Sequence, residues 1–337
     1  MKSPEMVLSY GTPPVHYRLR STVLLTQNPK LKAAAVSICG ALFLAIIKLV
    51  VALLSGSMAV MASAIDSLLD ILMSGVNFMA IRQAEQPPDQ SHPFGHGKFE
   101  TLATLFQAMI ITGSGIWIIY VAAIRLSQNN QLERIDQGIG VLAFSAIVSW
   151  LIARNLSRVA KQTDSPALEA DSLHFRMDIY TNLGLMAGLV MVRWFDIHWL
   201  DSALSILVAA YILREALRLI KRSLTDILDH ELPDEIQQQV DQLIRTHEGP
   251  LAGYHGLRTR RSGSNKIMDF HLEVCKDMTV AEAHKLTDSL EKRIEREIPG
   301  SNVIIHVEPC NIEECPGREN CEIFTHRVPD RFQNPED

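Results

Sequence analysis

Residues 58–80 read MAVMASAIDSLLDILMSGVNFMA, an apolar run long enough to cross a bilayer that nonetheless holds Asp66 and Asp70. A carboxylate at the centre of a membrane helix costs about 2.5–3.5 kcal/mol, so two cost about 5–7 kcal/mol. Nothing in the neighbouring sequence offsets that cost. The compensating group must come from elsewhere in the fold or from a bound ligand.

The two aspartates are four residues apart. On a helix that spacing puts them on one face, about 40° apart in azimuth and about 6 Å along the axis. Ser74 and Asn77 continue the stripe. A second segment, LEADSLHFRMDIYTNLG (168–184), repeats the device with His174 and Asp178 four apart and Asn182 after another four. Two such helices can face one another and supply four ligands. Three carboxylates and one imidazole suit a divalent transition metal, and a tetrahedral set of this kind suits zinc. The same groups can also serve as polar helix–helix contacts or line a water cavity, but matched pairs on two segments favour a cation site.

Working outward, six apolar segments are each long enough to span, near 33–54, 58–82, 100–124, 138–160, 168–192 and 200–220. The whole chain is 47% hydrophobic and 21% charged over 337 residues, yet the charge concentrates in residues 223–337. The pattern predicts a cytosolic leader (1–30), an all-α transmembrane domain of six helices (31–222), a small cytosolic α+β domain (223–310) and a cysteine-containing tail (311–337). No signal peptide is evident in the mixed, polar residues 1–30. Lys30, Lys32, Arg82, Lys98, Arg154, Arg158, Lys161, Arg214, Arg218, Lys221 and Arg222 flank one side of the spans. The opposite loops hold fewer basic residues, so both termini are predicted to be cytosolic. A net charge of −6 and the lack of a basic stripe interleaved with aromatics speak against nucleic acid as a partner.

In the charged region PDEIQQQVDQLIRTHE (233–248) has helical spacing of its apolar residues. GLRTRRSG and KIMDFHLEV read as strands joined through SGSN (262–265), TVAEAHKLTDSLEKRIEREI (279–298) as a second amphipathic helix, and NVIIHVEP (302–309) as a last strand. An α-β-β-α-β order predicts a small open sandwich, ferredoxin-like or metallochaperone-like.

Five motifs, AIDSLLD, HPFGHGKFE, LHFRMD, LRTRRSG and VIIHVEP, together resemble the cation diffusion facilitators, especially the bacterial zinc and ferrous-iron efflux branch. The likeness covers roughly residues 31–310. It implies a six-span, homodimeric antiporter that exchanges a divalent metal for protons, with the transport site on Asp66, Asp70, His174 and Asp178. The chemistry agrees, because ligands must be deprotonated to bind metal and protons therefore compete for the site. His174 is the candidate proton carrier, since an unperturbed imidazole titrates near pH 6.5.

The loop PPDQSHPFGHGKFE holds Asp89, His92 and His96 within eight residues, enough to bind a metal without a distant element. The resemblance assigns a regulatory or accessory metal to these three, and places Lys98 in a charge cluster with Asp229 as partner; Lys98 also serves as a positive-inside flank. Lone histidines at His255, His271, His284 and His306 would ordinarily be surface residues. The resemblance implies a cytosolic binuclear site on those four plus Glu308, which stands where close relatives have Asp. A metal there would link two tails and bias the transporter toward one arrangement.

Beyond the family match, Cys310, Cys315, Cys321 and His326 form a C-x4-C-x5-C-x4-H series able in principle to hold zinc, or a tail of reduced thiols. Cys39 and Cys275 are expected to be small packing residues, and Lys48 to snorkel. The function expected is efflux of zinc, with ferrous iron or cadmium as alternatives, by a homodimer in a bacterial inner membrane. The metal is substrate and regulatory ligand, and no catalytic cofactor is expected. A membrane-tethered metal sensor leaves the buried aspartates unexplained. An intramembrane metalloenzyme lacks an HExxH motif and an open coordination position.

Overall fold

Asn28 and Pro29 open the first helix: the Asn28 side chain accepts the Lys30 backbone N–H at 2.9 Å, and a proline suits the first helical position. In the computed structural model, which describes residues 28–55, 58–128, 139–195 and 199–311, six long helices follow one another. They are α1 (Pro29–Ser55), α2 (Met58–Ala84), α3 (Lys98–Gln128), α4 (Ile139–Thr163), α5 (Pro166–Phe195) and α6 (Trp199–Ile227). Ser165 and Pro166 repeat the opening device at α5, with the Ser165 hydroxyl accepting from the Leu168 N–H at 3.4 Å. α1 packs on α2, α4 on α5 and α3 on α6, with α1–α4 and α2–α5 contacts closing a four-helix group beside the α3–α6 pair.

Among the described residues, Pro29–Leu54 and Lys98–Ile124 are long and apolar enough to cross a bilayer on composition alone. The sidedness of the bundle says more. Its outer surface carries Leu42, Phe43, Ile46, Leu53, Leu69 and Trp117, all exposed, while Ser37, Ser74, Asn77, Gln107 and Asp171 are buried. This inverts the pattern of a water-soluble protein and matches a bundle whose solvent is lipid. Small residues let the helices approach: a methyl group built at Gly40 would come within 2.4 Å of the Ile152 side chain.

The second unit comprises α7 (Asp234–Arg245), β1 (Leu251–Ser262), β2 (Asn265–Val274), α8 (Val280–Glu297) and β3 (Ser301–Pro309), in the α-β-β-α-β order read from the sequence. β1 starts earlier than its motif suggested and takes in His255. Asp234 and Glu235 complement the start of α7, and Thr279 with Glu282 forms a capping box at α8. The sheet order is β1-β2-β3, antiparallel then parallel. Met268, Phe270 and Leu272 point from β2 toward Leu290 and Ile294 of α8. Each such side chain, fully buried, is worth about 1.5–3 kcal/mol. The alternate β2 residues, among them Asp269, His271 and Glu273, face the other way.

The β1–β2 turn joins the two units. Ser262 pairs with Asn265, leaving Gly263 and Ser264 as a two-residue loop with Gly263 at φ 62°. Gly263 lies against Gly97, ahead of α3; a methyl group on either would meet the other segment's backbone at 2.3 Å. Around this contact Lys30 pairs with Glu85 at 2.5 Å and donates to Ser264 at 2.6 Å, and Lys266 pairs with Asp164 at 2.6 Å. Lys30 and Lys266 are both buried, so the flanking Lys30 is a structural partner as well as a topological signal.

Candidate metal centre

α2 and α5 bring three of the expected transport ligands together. Asp70, His174 and Asp178 each offer a ligand atom, and those atoms lie within 4.8 Å of one another. The closest pair is Asp70 Oδ1 and His174 Nε2, hydrogen-bonded at 2.9 Å. Zinc at about 2.0–2.1 Å from each ligand needs ligand atoms about 3.3 Å apart, so the Asp70–His174 pair would open slightly and any wider approach, up to 4.8 Å, would close. Asp66 lies one turn along α2, exposed, and outside this group of three.

α2 enters its loop at Ala84 and α5 starts at Pro166, so Ser74, Asn77 and Asp171 lie between the site and the end of the bundle that meets the soluble unit. There they form a buried polar layer. Ser37 donates to Asp171 at 2.6 Å, Ser74 to Asp171 at 3.3 Å, and Asn77 to Gln107 at 2.5 Å. Asp171 is fully buried. It was not singled out from the sequence, although its place three residues before His174 puts it on the same helical stripe. Gln107, from α3, had no such signal.

Lys48 corrects an expectation. It does not snorkel but is buried, donating to Ser67 at 2.8 Å, because its stem lies on the face of α1 that packs against α2. Cys39 is exposed on α1 instead of packing inside it, whereas Cys275 is buried after β2.

The 2–3 loop gathers its three residues. Asp89 lies 3.4 Å from His92 Nδ1 and 3.3 Å from His96 Nε2. Its carboxylate accepts the backbone N–H groups of Ser91 and His92, and the His92 bond foremost holds its pKa below the ordinary 3.8. His96 is buried with Nδ1 lacking a partner among the described residues. Just beyond, Lys98 donates to Asp229 at 2.9 Å and Arg260 pairs with the same carboxylate at 3.3 Å. Burial pushes Asp229 up, but these two donors keep it below 3.8.

In the sheet, strand register builds what sequence separation hides. His255 pairs across from His271, and His271 from His306, so the three rings form a row with neighbouring centroids 5.0 Å apart. Two residues on, Glu308 reaches back to His271 at 2.7 Å, His255 at 3.0 Å and His306 at 3.8 Å. The His271 hydrogen bond foremost lowers the Glu308 carboxyl below 4.5. The longer glutamate therefore still reaches the histidines. His284 is exposed on α8, the helix packed on the opposite face of the sheet, and is not part of the His255–His271–Glu308 group. Cys310 is buried and its N–H bonds to the Val274 carbonyl at 2.8 Å. Cys315, Cys321 and His326 lie outside the described residues.

Comparison with known families settles the class. Residues 34–228 match the cation efflux transmembrane domain, and residues 232–310 the cytoplasmic domain of cation efflux proteins. The chain is a cation diffusion facilitator. It is similar to the cation-efflux pump FieF of Salmonella paratyphi A, 34% identical over 286 residues, covering 85% of this chain and 94% of that one. The FieF pump of Escherichia coli O139:H28 is likewise 34% identical over 291 residues, covering 86% and 96%. Among solved structures, the metal-bound C-terminal domain of the CzcD transporter from Thermotoga maritima is 26% identical, covering 24% of this chain and 93% of that one, with a TM-score of 0.22.

This facilitator is therefore a cation efflux transporter and not an enzyme, with a transmembrane domain followed by a cytoplasmic one. The end of the bundle that receives the β1–β2 turn is its cytoplasmic end. The buried layer around Asp171 lies on the cytoplasmic side of Asp70, His174 and Asp178, while Asp66 lies on the other side.

Proposed function

We propose that this facilitator is a homodimeric, six-span zinc/proton antiporter of a bacterial inner membrane, with both termini cytosolic and ferrous iron or cadmium as alternative cargo. The observation that carries the reading is the approach of Asp70, His174 and Asp178 to within 4.8 Å inside a bundle with an apolar exterior. Asp66, one turn outward, swings in to complete a four-ligand set around the ion. An imidazole among carboxylates favours zinc over manganese, which prefers all-oxygen sites.

Metal and protons exclude each other because each ligand must lose its proton to coordinate. The Asp70–His174 hydrogen bond is the proton-holding arrangement, and the incoming ion replaces the shared proton. The buried layer of Ser37, Ser74, Gln107 and Asp171 supports an outward-open state in which the cytosolic side is shut. Reversing access requires that layer to part. The loop residues Asp89, His92 and His96 bind an accessory metal beside the docked turn. The histidine row with Glu308 binds regulatory metal on a sheet face that, in the dimer, meets its counterpart.

The test is zinc and ferrous-iron flux in proteoliposomes under an imposed pH gradient. Gradient-driven zinc flux is expected, with iron slower. Intact protein that moves neither metal in response to the gradient would sink the antiport reading.

A further inference from the structure

Residues of α4 and α5 line an open pocket of about 550 Å³. Four basic side chains line it: Arg154, Arg158 and Lys161 from one face of α4, and Arg176 from α5. Arg176 donates to Ser157 at 2.9 Å, and the Arg154 guanidinium lies over the Trp150 ring at 5.3 Å. Among the described residues none of the four has an acidic partner within salt-bridge distance, whereas Lys30, Lys98, Arg222 and Lys266 nearby all do.

We infer that this cavity binds the phosphate headgroup of an anionic phospholipid from the cytoplasmic leaflet. The positive-inside rule accounts for basic residues near this membrane surface. It does not account for their convergence on one cavity, nor for Arg176, which lies ten residues into α5 and so about 15 Å from its start. A cation at such depth without a carboxylate calls for a partner of opposite charge. Guanidinium forks match phosphate oxygens in bidentate fashion, and basic pockets between helices on the cytoplasmic side suit phospholipid headgroups.

The lining is graded in the same sense as a lipid. Arg158 and Lys161 lie toward the α4–α5 turn, which touches the soluble domain through Asp164 and Lys266. Trp150, Ile179 and Tyr180 lie at the opposite, deeper end, where glycerol and the first acyl carbons would rest. Four cations suit a headgroup with two phosphates, such as cardiolipin, better than one with a single charge. A free phosphate ion would leave the aromatic end unused. Arg176 sits between His174 and Asp178 in sequence, so a lipid held here braces the helix that carries two of the transport ligands.

The experiment uses the delipidated full-length dimer, with bound molecules counted by native mass spectrometry during titration with cardiolipin, phosphatidylcholine and inorganic phosphate. Wild type is expected to prefer cardiolipin strongly. Each basic side chain near an anionic lipid is worth roughly fivefold, so R154Q/R176Q should bind cardiolipin roughly thirtyfold more weakly. K292Q, which alters an exposed lysine of α8 in the soluble domain, should bind as wild type. Inorganic phosphate should not displace the lipid. Unchanged cardiolipin affinity in folded R154Q/R176Q would overturn the assignment, as would displacement by phosphate. The wild-type ranking decides without any variant: equal affinity for cardiolipin and phosphatidylcholine overturns it too.

Discussion

The two best-formed ligand clusters are built by opposite means. The membrane cluster, with His174 buried and Asp70 and Asp178 half-buried, comes from two helices whose ligands are spaced i,i+4; its cytosolic side is closed by a layer of hydrogen-bonded polar groups. The sheet cluster is open to solvent, comes from three strands, and uses register alone to align His255, His271 and His306. Burial makes the first site costly to leave half-filled, as a cargo site that must exchange metal for protons should be. Exposure lets the second equilibrate freely with cytosolic metal, as a sensor of concentration should. On the function proposed above, the difference separates carrying from reporting.

The largest effect that would sharpen the contrast comes from removing a ligand of the membrane cluster. Outer-shell partners of a metal already cost 10–100-fold, so Asp178→Asn is expected to lower zinc flux by about 100-fold or more. His271→Ala, in the same vesicles, should change it by only a few-fold. Comparable losses in both would erase the distinction between the sites.

Next comes the layer beneath the membrane site. Asp171→Ala leaves Gln107 and one of the mutually bonded Ser37 and Ser74 hydroxyls short of an acceptor, at about 1–3 kcal/mol for each group left unsatisfied. Thermal unfolding should move down. Flux should also become less dependent on the pH gradient, because the cytosolic side no longer closes. A destabilised protein with fully coupled flux would show that the layer only holds the helices together.

Coupling between the two regions is expected to be smaller and to run through the glycine contact. Gly263→Ala places a side chain at φ 62° and within 2.3 Å of the Gly97 backbone, a strain of about 1–2 kcal/mol before any steric clash. Hydrogen exchange at residues 262–266 should speed up while zinc affinity at the membrane site holds. Unchanged exchange there would mean that the turn is not a joint.

The smallest effects concern pH. Glu308 has a folded pKa lowered from 4.5, foremost by His271. Its contribution is therefore present above 4.5 and lost only as pH falls through the lowered value. Protons compete with zinc for the row, so its zinc affinity should fall on acidification. Glu308→Gln should weaken binding at neutral pH, as read by calorimetry of the full chain. Asp229 is also lowered, from 3.8, so the Lys98 and Arg260 contacts hold across neutral pH and fail only in strong acid.

The i,i+4 pair on each helix and the compact loop of Asp89, His92 and His96 were legible because their members are neighbours in sequence. The structure gathers the loop residues, and brings Asp70 of α2 to His174 and Asp178 of α5 while leaving Asp66 outside. The sheet row was legible only through family likeness: 16 residues separate His255 from His271 and 35 separate His271 from His306, and nothing local sets their register. Lys30 looked like a flanking residue and Lys48 like a snorkelling one, yet each is buried against a partner far away or on another helix. Such pairings depend on how elements dock. The cavity beside Arg176 belongs to the same class, since its four cations come from two helices and converge only when those pack.

The most direct measurement is zinc flux under a pH gradient for His174→Ala and His271→Ala, each over a range of zinc concentrations on the cytoplasmic side. His174→Ala is expected to abolish gradient-driven flux at every concentration. His271→Ala should retain it but shift its dependence on cytoplasmic zinc. Retained, gradient-coupled flux in His174→Ala would contradict the assignment of cargo to the α2–α5 site.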